Sequence, residues 1–95
     1  MTIGVARLTF RLPGNTSLKG KRKLVKSTID KVRHKFRISM AEVADQDVLQ
    51  RSVCGMAVVG NDRRLVNAIL DKAIDFIETL NDTEIVDCEI ELIAF

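Results

Sequence analysis

The chain contains no tryptophan and no tyrosine, and its 95 residues include one histidine, one proline and two cysteines. Of its four phenylalanines, Phe10, Phe36 and Phe76 fall on predicted core faces and Phe95 is the last residue. Few rings therefore remain to stack on exposed bases, which argues against the single-strand mode of RNA-recognition motifs. Low proline and glycine argue against disorder. No apolar run approaches the roughly 18 residues that a membrane span requires, and the N-terminus reads as a strand, so a cytoplasmic protein without membrane attachment is expected. Cys54 and Cys88 lie in alternating apolar segments without metal-ligand spacing and read as reduced thiols acting as small hydrophobes. His34 projects opposite its helix's apolar stripe, with no Ser or Cys nucleophile near it in sequence, and reads as an exposed bystander.

What the chain does have is a segregated charge. Residues 17–37, SLKGKRKLVKSTIDKVRHKFR, hold nine Lys or Arg against one acid, Asp30, a net of +8. The remaining 74 residues hold six bases and 12 acids, a net of −6, so the overall +2 describes a dipolar molecule.

Hydrophobic periodicity orders the elements. Residues 3–12 alternate, with Ala6, Leu8, Phe10 and Leu12 on one side, and predict a strand. Pro13-Gly14-Asn15 is turn chemistry, and Ser17 is placed to cap the helix that follows. In that helix Leu18, Val25, Ile29, Val32 and Phe36 form the core stripe. Lys19, Lys23, Lys26, Arg33 and Arg37 gather along an adjacent stripe with Arg22 at its edge, while Lys21, Lys31 and Lys35 are placed on the opposite flank. A second strand is predicted over 38–44 and a third over 52–59, the latter apolar on both faces and so expected to be covered on both. A second helix over 63–80 begins at Asp62. A fourth strand sets Val86, Cys88, Ile90 and Leu92 against Asp87, Glu89 and Glu91.

The order βαββαβ in one domain of this length predicts an α+β ferredoxin-like plait: a four-stranded antiparallel sheet with two helices on one face. Arg7 and Arg11 are then expected to face Glu89 and Glu91 as cross-strand ion pairs. The open sheet face, with Ile3 and Val5, gives some motive for a homodimer.

The basic helix breaks a local rule. Cations in the first turn oppose the helix dipole by about 0.3 to 1 kcal/mol each when exposed, yet Lys19, Lys21, Arg22 and Lys23 cluster there. An anion would offset that cost. Ser17, Lys19, Gly20, Lys21 and Arg22 form a candidate site for one phosphate, with Gly20 allowing close approach. Lys23, Lys26, Arg33 and Arg37 continue it over about 21 Å at 1.5 Å per residue, long enough to follow a nucleic acid. Structured RNA, or a ribosomal particle, read by its backbone is the expected partner. No cofactor, metal or reaction is expected. Glu42, Asp45 and Asp47 read as turn-forming, solvated acids. Asn15 and Asn61 imitate an acylphosphatase site only loosely.

Three segments, residues 17–36 (SLKGKRKLVKSTIDKVRHKF), 41–52 (AEVADQDVLQRS) and 57–70 (AVVGNDRRLVNAIL), resemble the bacterial YlxP-like family, domain of unknown function family 503. The similarity runs over nearly the whole chain, and Leu18–Arg22 and Glu42–Asp47 match its most distinctive parts. It implies a ferredoxin-like fold, a cytoplasmic bacterial protein, and genes placed beside those for translation initiation and ribosome-binding factors. It implies no catalytic residue.

Overall fold

Alternation along the first strand divides the molecule into two layers. In the computed structural model, which describes residues 1–95, β1 (Thr2–Arg11) turns Ala6, Leu8 and Phe10 toward the helices, where all three are buried. The chain continues through α1 (Leu18–Lys35), β2 (Ser39–Ala44), β3 (Arg51–Gly60), α2 (Arg63–Glu78) and β4 (Glu84–Ala94). The sheet is antiparallel throughout, in the order β2-β3-β1-β4. This is the ferredoxin-like plait, with both helices on one face.

The core lies between helices and sheet. α1 contributes Val25 and Val32, and α2 contributes Val66, Leu70, Ala73 and Ile77 at spacings of four, three and four. They meet Met40 of β2 and Cys54, Met56 and Val58 of β3. Each of the Val, Leu, Ile and Met side chains among them stabilises the fold by roughly 1.5 to 3 kcal/mol when fully buried. Phe36 and Phe76 are only half-buried and close the helix pair edge to face, with centroids 5.8 Å apart and planes at 62°. α2 sits directly over β1: a Cβ added at Gly4 would lie 2.5 Å from Val66 Cγ1 and 2.9 Å from Leu70 Cδ1. Ser17 caps α1, its Oγ accepting from the Gly20 N–H at 3.0 Å, and Asp62 caps α2 by accepting from the Arg64 N–H.

Two expectations about the strands require correction. β3 is covered on its helix side by Ser52, Cys54, Met56 and Val58, all buried, but on the open side only Val53 is buried and Val59 is 64% exposed. β4 is less covered than its alternation predicted. It is an edge strand outboard of α2, so Cys88 is exposed, Ile90 is 41% exposed and Val86 is 53% exposed, with Leu92 alone of the four half-buried. Val86 stands at a bulge, since Thr9 registers with Asp87 and Phe10 with Ile85. Arg7 meets Glu89 at 2.7 Å as expected. Antiparallel register runs Arg11 the other way along β4, and the bulge sets it opposite Glu84, 2.8 Å away, while Glu91 registers with Val5. Glu89 holds the Arg7 guanidinium above its ordinary pKa, through the hydrogen bond first and the charge second.

Candidate nucleic-acid interface

The buried face of α1 is set by Lys21, Val25, Thr28 and Val32, at spacings of four, three and four. Thr28 enters this stripe because its hydroxyl donates to the Leu24 carbonyl at 3.1 Å, satisfying the polar group within the helix. Lys21 enters it because its long stem carries the amine to partners beyond the helix. Nζ donates to the Asp45 carbonyl and lies 3.2 Å from Glu42 Oε2, and the residue is 1% exposed.

Lys21 therefore leaves the candidate phosphate set: its flank is the core, and its charge is already matched. Its partner was obscured for a related reason. Glu42 follows Met40 on the helix side of β2, registers with Cys54, accepts from the Ser52 hydroxyl and forms an ion pair with Lys21. It is a half-buried anchor and not a solvated acid. Asp45 adopts a left-handed backbone (φ 59°) and its carboxylate meets Arg51 at 2.9 Å. An acid alternating inward on a strand calls for a buried base, and that inward placement was the signal available in the sequence.

The start of α1 is likewise occupied from within. The Gly20 N–H is taken by Ser17, and the space a Gly20 side chain would fill holds Asn15, whose Oδ1 would lie 2.6 Å from an added Cβ. Asn15 Nδ2 donates to the carbonyls of Ser17 and Leu49, and its own carbonyl accepts from Gln50. Gly20 thus admits a side chain of this chain where a phosphate was expected, and Asn15 serves as a staple between loops.

The other predicted cations are exposed. Arg22, Lys26 and Arg33 line one groove between α1 and β2 together with Asp30 and Glu42, over Val25, Ile29 and Met40. The groove holds about 450 Å³. Lys26 is met by Asp30 at 3.0 Å, whereas Arg22 and Arg33 have no carboxylate within ion-pair distance. Lys19 and Lys23 extend the charged surface toward the start of α1, and Arg37 follows its end. Lys35 lies 4.5 Å from the centroid of Phe76, held over that ring. His34 is exposed beside Asp30, Lys31 and Lys35.

The thiols differ. Burial pushes the Cys54 thiol up to about 11, against a smaller lowering by the Ser52 hydroxyl. Cys88 is raised by its partial burial first and then by Asp87, Glu78 and Asp71. Both register with Leu8 from opposite sides of β1, which separates them by two strand spacings of about 4.8 Å, too far to bridge.

The sequence profile of the family described as "Protein of unknown function (DUF503)" matches residues 3–90. The "Uncharacterized protein YlxP" of Bacillus subtilis (strain 168) is 34% identical over 82 residues, covering 86% of this chain and 89% of that protein. Among solved structures, a dimeric ferredoxin-like protein from an uncultured marine organism superposes with a TM-score of 0.53 at 13% identity, covering 100% of this chain and 98% of that one. That likeness is one of fold. No helix is long and apolar enough to cross a membrane.

Proposed function

This chain belongs to the DUF503 family, and from its divided surface we propose that it acts as a non-enzymatic accessory protein that holds structured RNA by its phosphates. The observation that carries this reading is the groove beside α1. Arg22 and Arg33 stand on it without carboxylate partners, about 17 Å apart along the helix at 1.5 Å per residue. Cations left unpaired in one row, while the rest of the chain is acidic, suit a row of phosphates better than a mixed, solvated helix face. A ribosomal particle is the setting implied by the resemblance to the YlxP-like family, and the scarcity of exposed rings, with Phe95 the one largely exposed, favours folded RNA over single strands.

Reversing Lys23, Lys26 and Arg33 to Glu tests the reading directly. Binding to a structured RNA at low salt should be lost while the far-ultraviolet circular dichroism stays unchanged; undiminished binding by the folded variant overturns it.

A homodimer through the open sheet face is the second reading, favoured by an apolar end of that face where Val59, Ile3 and Ile93 register across three strands. The dimeric neighbour of the same fold supports it. Sedimentation at micromolar concentration should give a dimer that Val59→Asp dissociates; a monomer in both removes it.

A further inference from the structure

The free edge of β4 presents three kinds of group at once. The first is backbone. Met1 and Phe95 exchange two hydrogen bonds, Phe95 N–H to Met1 O at 2.8 Å and the Met1 amine to Phe95 O at 3.2 Å. In an antiparallel ladder such pairs alternate with unbonded ones. By register the bonded pairs continue through Ile3 and Ile93, Val5 and Glu91, and Arg7 and Glu89. Cys88, Ile90 and Leu92 occupy the unbonded positions, so their N–H and C=O groups point away from β1 along the open edge. The second is apolar surface. The side chains of these same three residues face the helix side, where α2 lies over β1 and leaves Cys88 and Ile90 exposed. The third is charge. Asp87, Glu89 and Glu91 project from the opposite face, and only Glu89 has a base, Arg7.

We propose that β4 accepts an extended segment of a partner protein as a fifth strand, one in which basic side chains alternate with apolar ones. Its backbone would bond to Cys88, Ile90 and Leu92, as in strand addition at other sheet edges. Its apolar side chains would cover those residues on the helix side, and its bases would face Asp87 and Glu91. A second copy of this chain fits poorly: pairing two β4 edges sets acid against acid on one face, and β2, the other free edge, has the sequence SMAEVA with one Glu and no base. Edges are guarded against pairing by charged side chains, Pro or bulges. From Cys88 to Leu92 β4 has no Pro and no bulge, its bulge lying at Val86, and its charges, Glu89 and Glu91, are of one sign, which repels an acidic strand and admits a basic one.

The test uses the full chain and a fluorescent synthetic peptide of about ten residues, the upper end of ordinary strand length, alternating lysine and valine. Controls are a peptide of equal composition with its lysines and valines in separate blocks, and the alternating peptide N-methylated along one edge. The alternating peptide should bind and slow hydrogen exchange at the Cys88, Ile90 and Leu92 amides. N-methylation should abolish both effects, and Asp87→Lys with Glu91→Lys should weaken binding about tenfold. Equal binding of the block or N-methylated peptide, or exchange unchanged at those amides, overturns the proposal. Reversal of Lys23, Lys26 and Arg33 should leave peptide binding intact, which separates this edge from the RNA reading.

Discussion

Lys21 Nζ and Glu42 Oε2 lie 3.2 Å apart and join the first turn of α1 to the middle of β2. The same amine donates to the Asp45 carbonyl, so one buried side chain fixes the helix start, the second strand and the corner after it. Removing one partner of such a pair leaves the other buried and unmatched, which costs about 3 to 5 kcal/mol when solvent is excluded. Lys21→Ala should lower unfolding stability by about 3 kcal/mol, near the low end because Glu42 retains some solvent. Lys21→Met combined with Glu42→Leu should recover most of that loss. Urea denaturation of the three proteins measures both, and equal stability of Lys21→Ala and the parent would contradict the pairing.

The salt dependence of RNA binding separates Lys21 from its neighbours. Neutralising Arg22, Lys23 or Arg33 singly should reduce the log-log slope of affinity against salt by about 1 each. Lys21→Met, assayed where it is fully folded, should leave the slope unchanged. A slope change as large as that for Arg33 would place the Lys21 amine in contact with phosphate.

The buried thiol predicts an alkaline loss of stability. In the unfolded chain a cysteine ionises near 9.0, while Cys54 in the folded chain holds its proton to about 11. Between these values the unfolded state binds fewer protons, so stability falls as pH rises, by about 2 to 3 kcal/mol once both values are passed. Thermal denaturation from neutral to alkaline pH should show that slope, and Cys54→Ala, though less stable throughout, should lack this component. In the native protein a disulfide reagent should titrate Cys88 quickly and Cys54 only after unfolding.

Gly4 is required by the close passage of α2. A methyl group there would overlap Val66 and Leu70, so Gly4→Ala should destabilise by about 1 to 3 kcal/mol despite the better strand propensity of the replacement. Val66→Ala in the same chain should relieve part of it. Additive losses in the double variant would show that the two sites do not meet.

Local pattern carried much of this structure. The alternation of Ala6, Leu8 and Phe10, the cap at Ser17 and the helix start at Asp62 each act over a few residues, and each stands where local pattern placed it. Lys21 escaped the same treatment because a lysine in a basic run reads as solvated until its partner is known, and Glu42 reaches it from another element. The exposure of Cys88 and Ile90 escaped for a different reason. Alternation assigns a side chain to a face of the sheet, but whether a helix covers that face depends on where α2 crosses, here over Gly4. The groove of Arg22, Lys26 and Arg33 was legible as a helical stripe, while its second wall, β2, was not.

The strand order also constrains how the chain comes to be folded. β1 is made before β3 and β4 yet ends up between them, and Glu89 of β4 lies 82 residues from its partner Arg7. During synthesis from the N-terminus, one side of β1 stays unpaired until residues 84–94 emerge, since loops of that length close late and slowly. A nascent chain that stalls in α2 therefore exposes the backbone of one of its two central strands, the kind of edge on which partly made chains associate with one another.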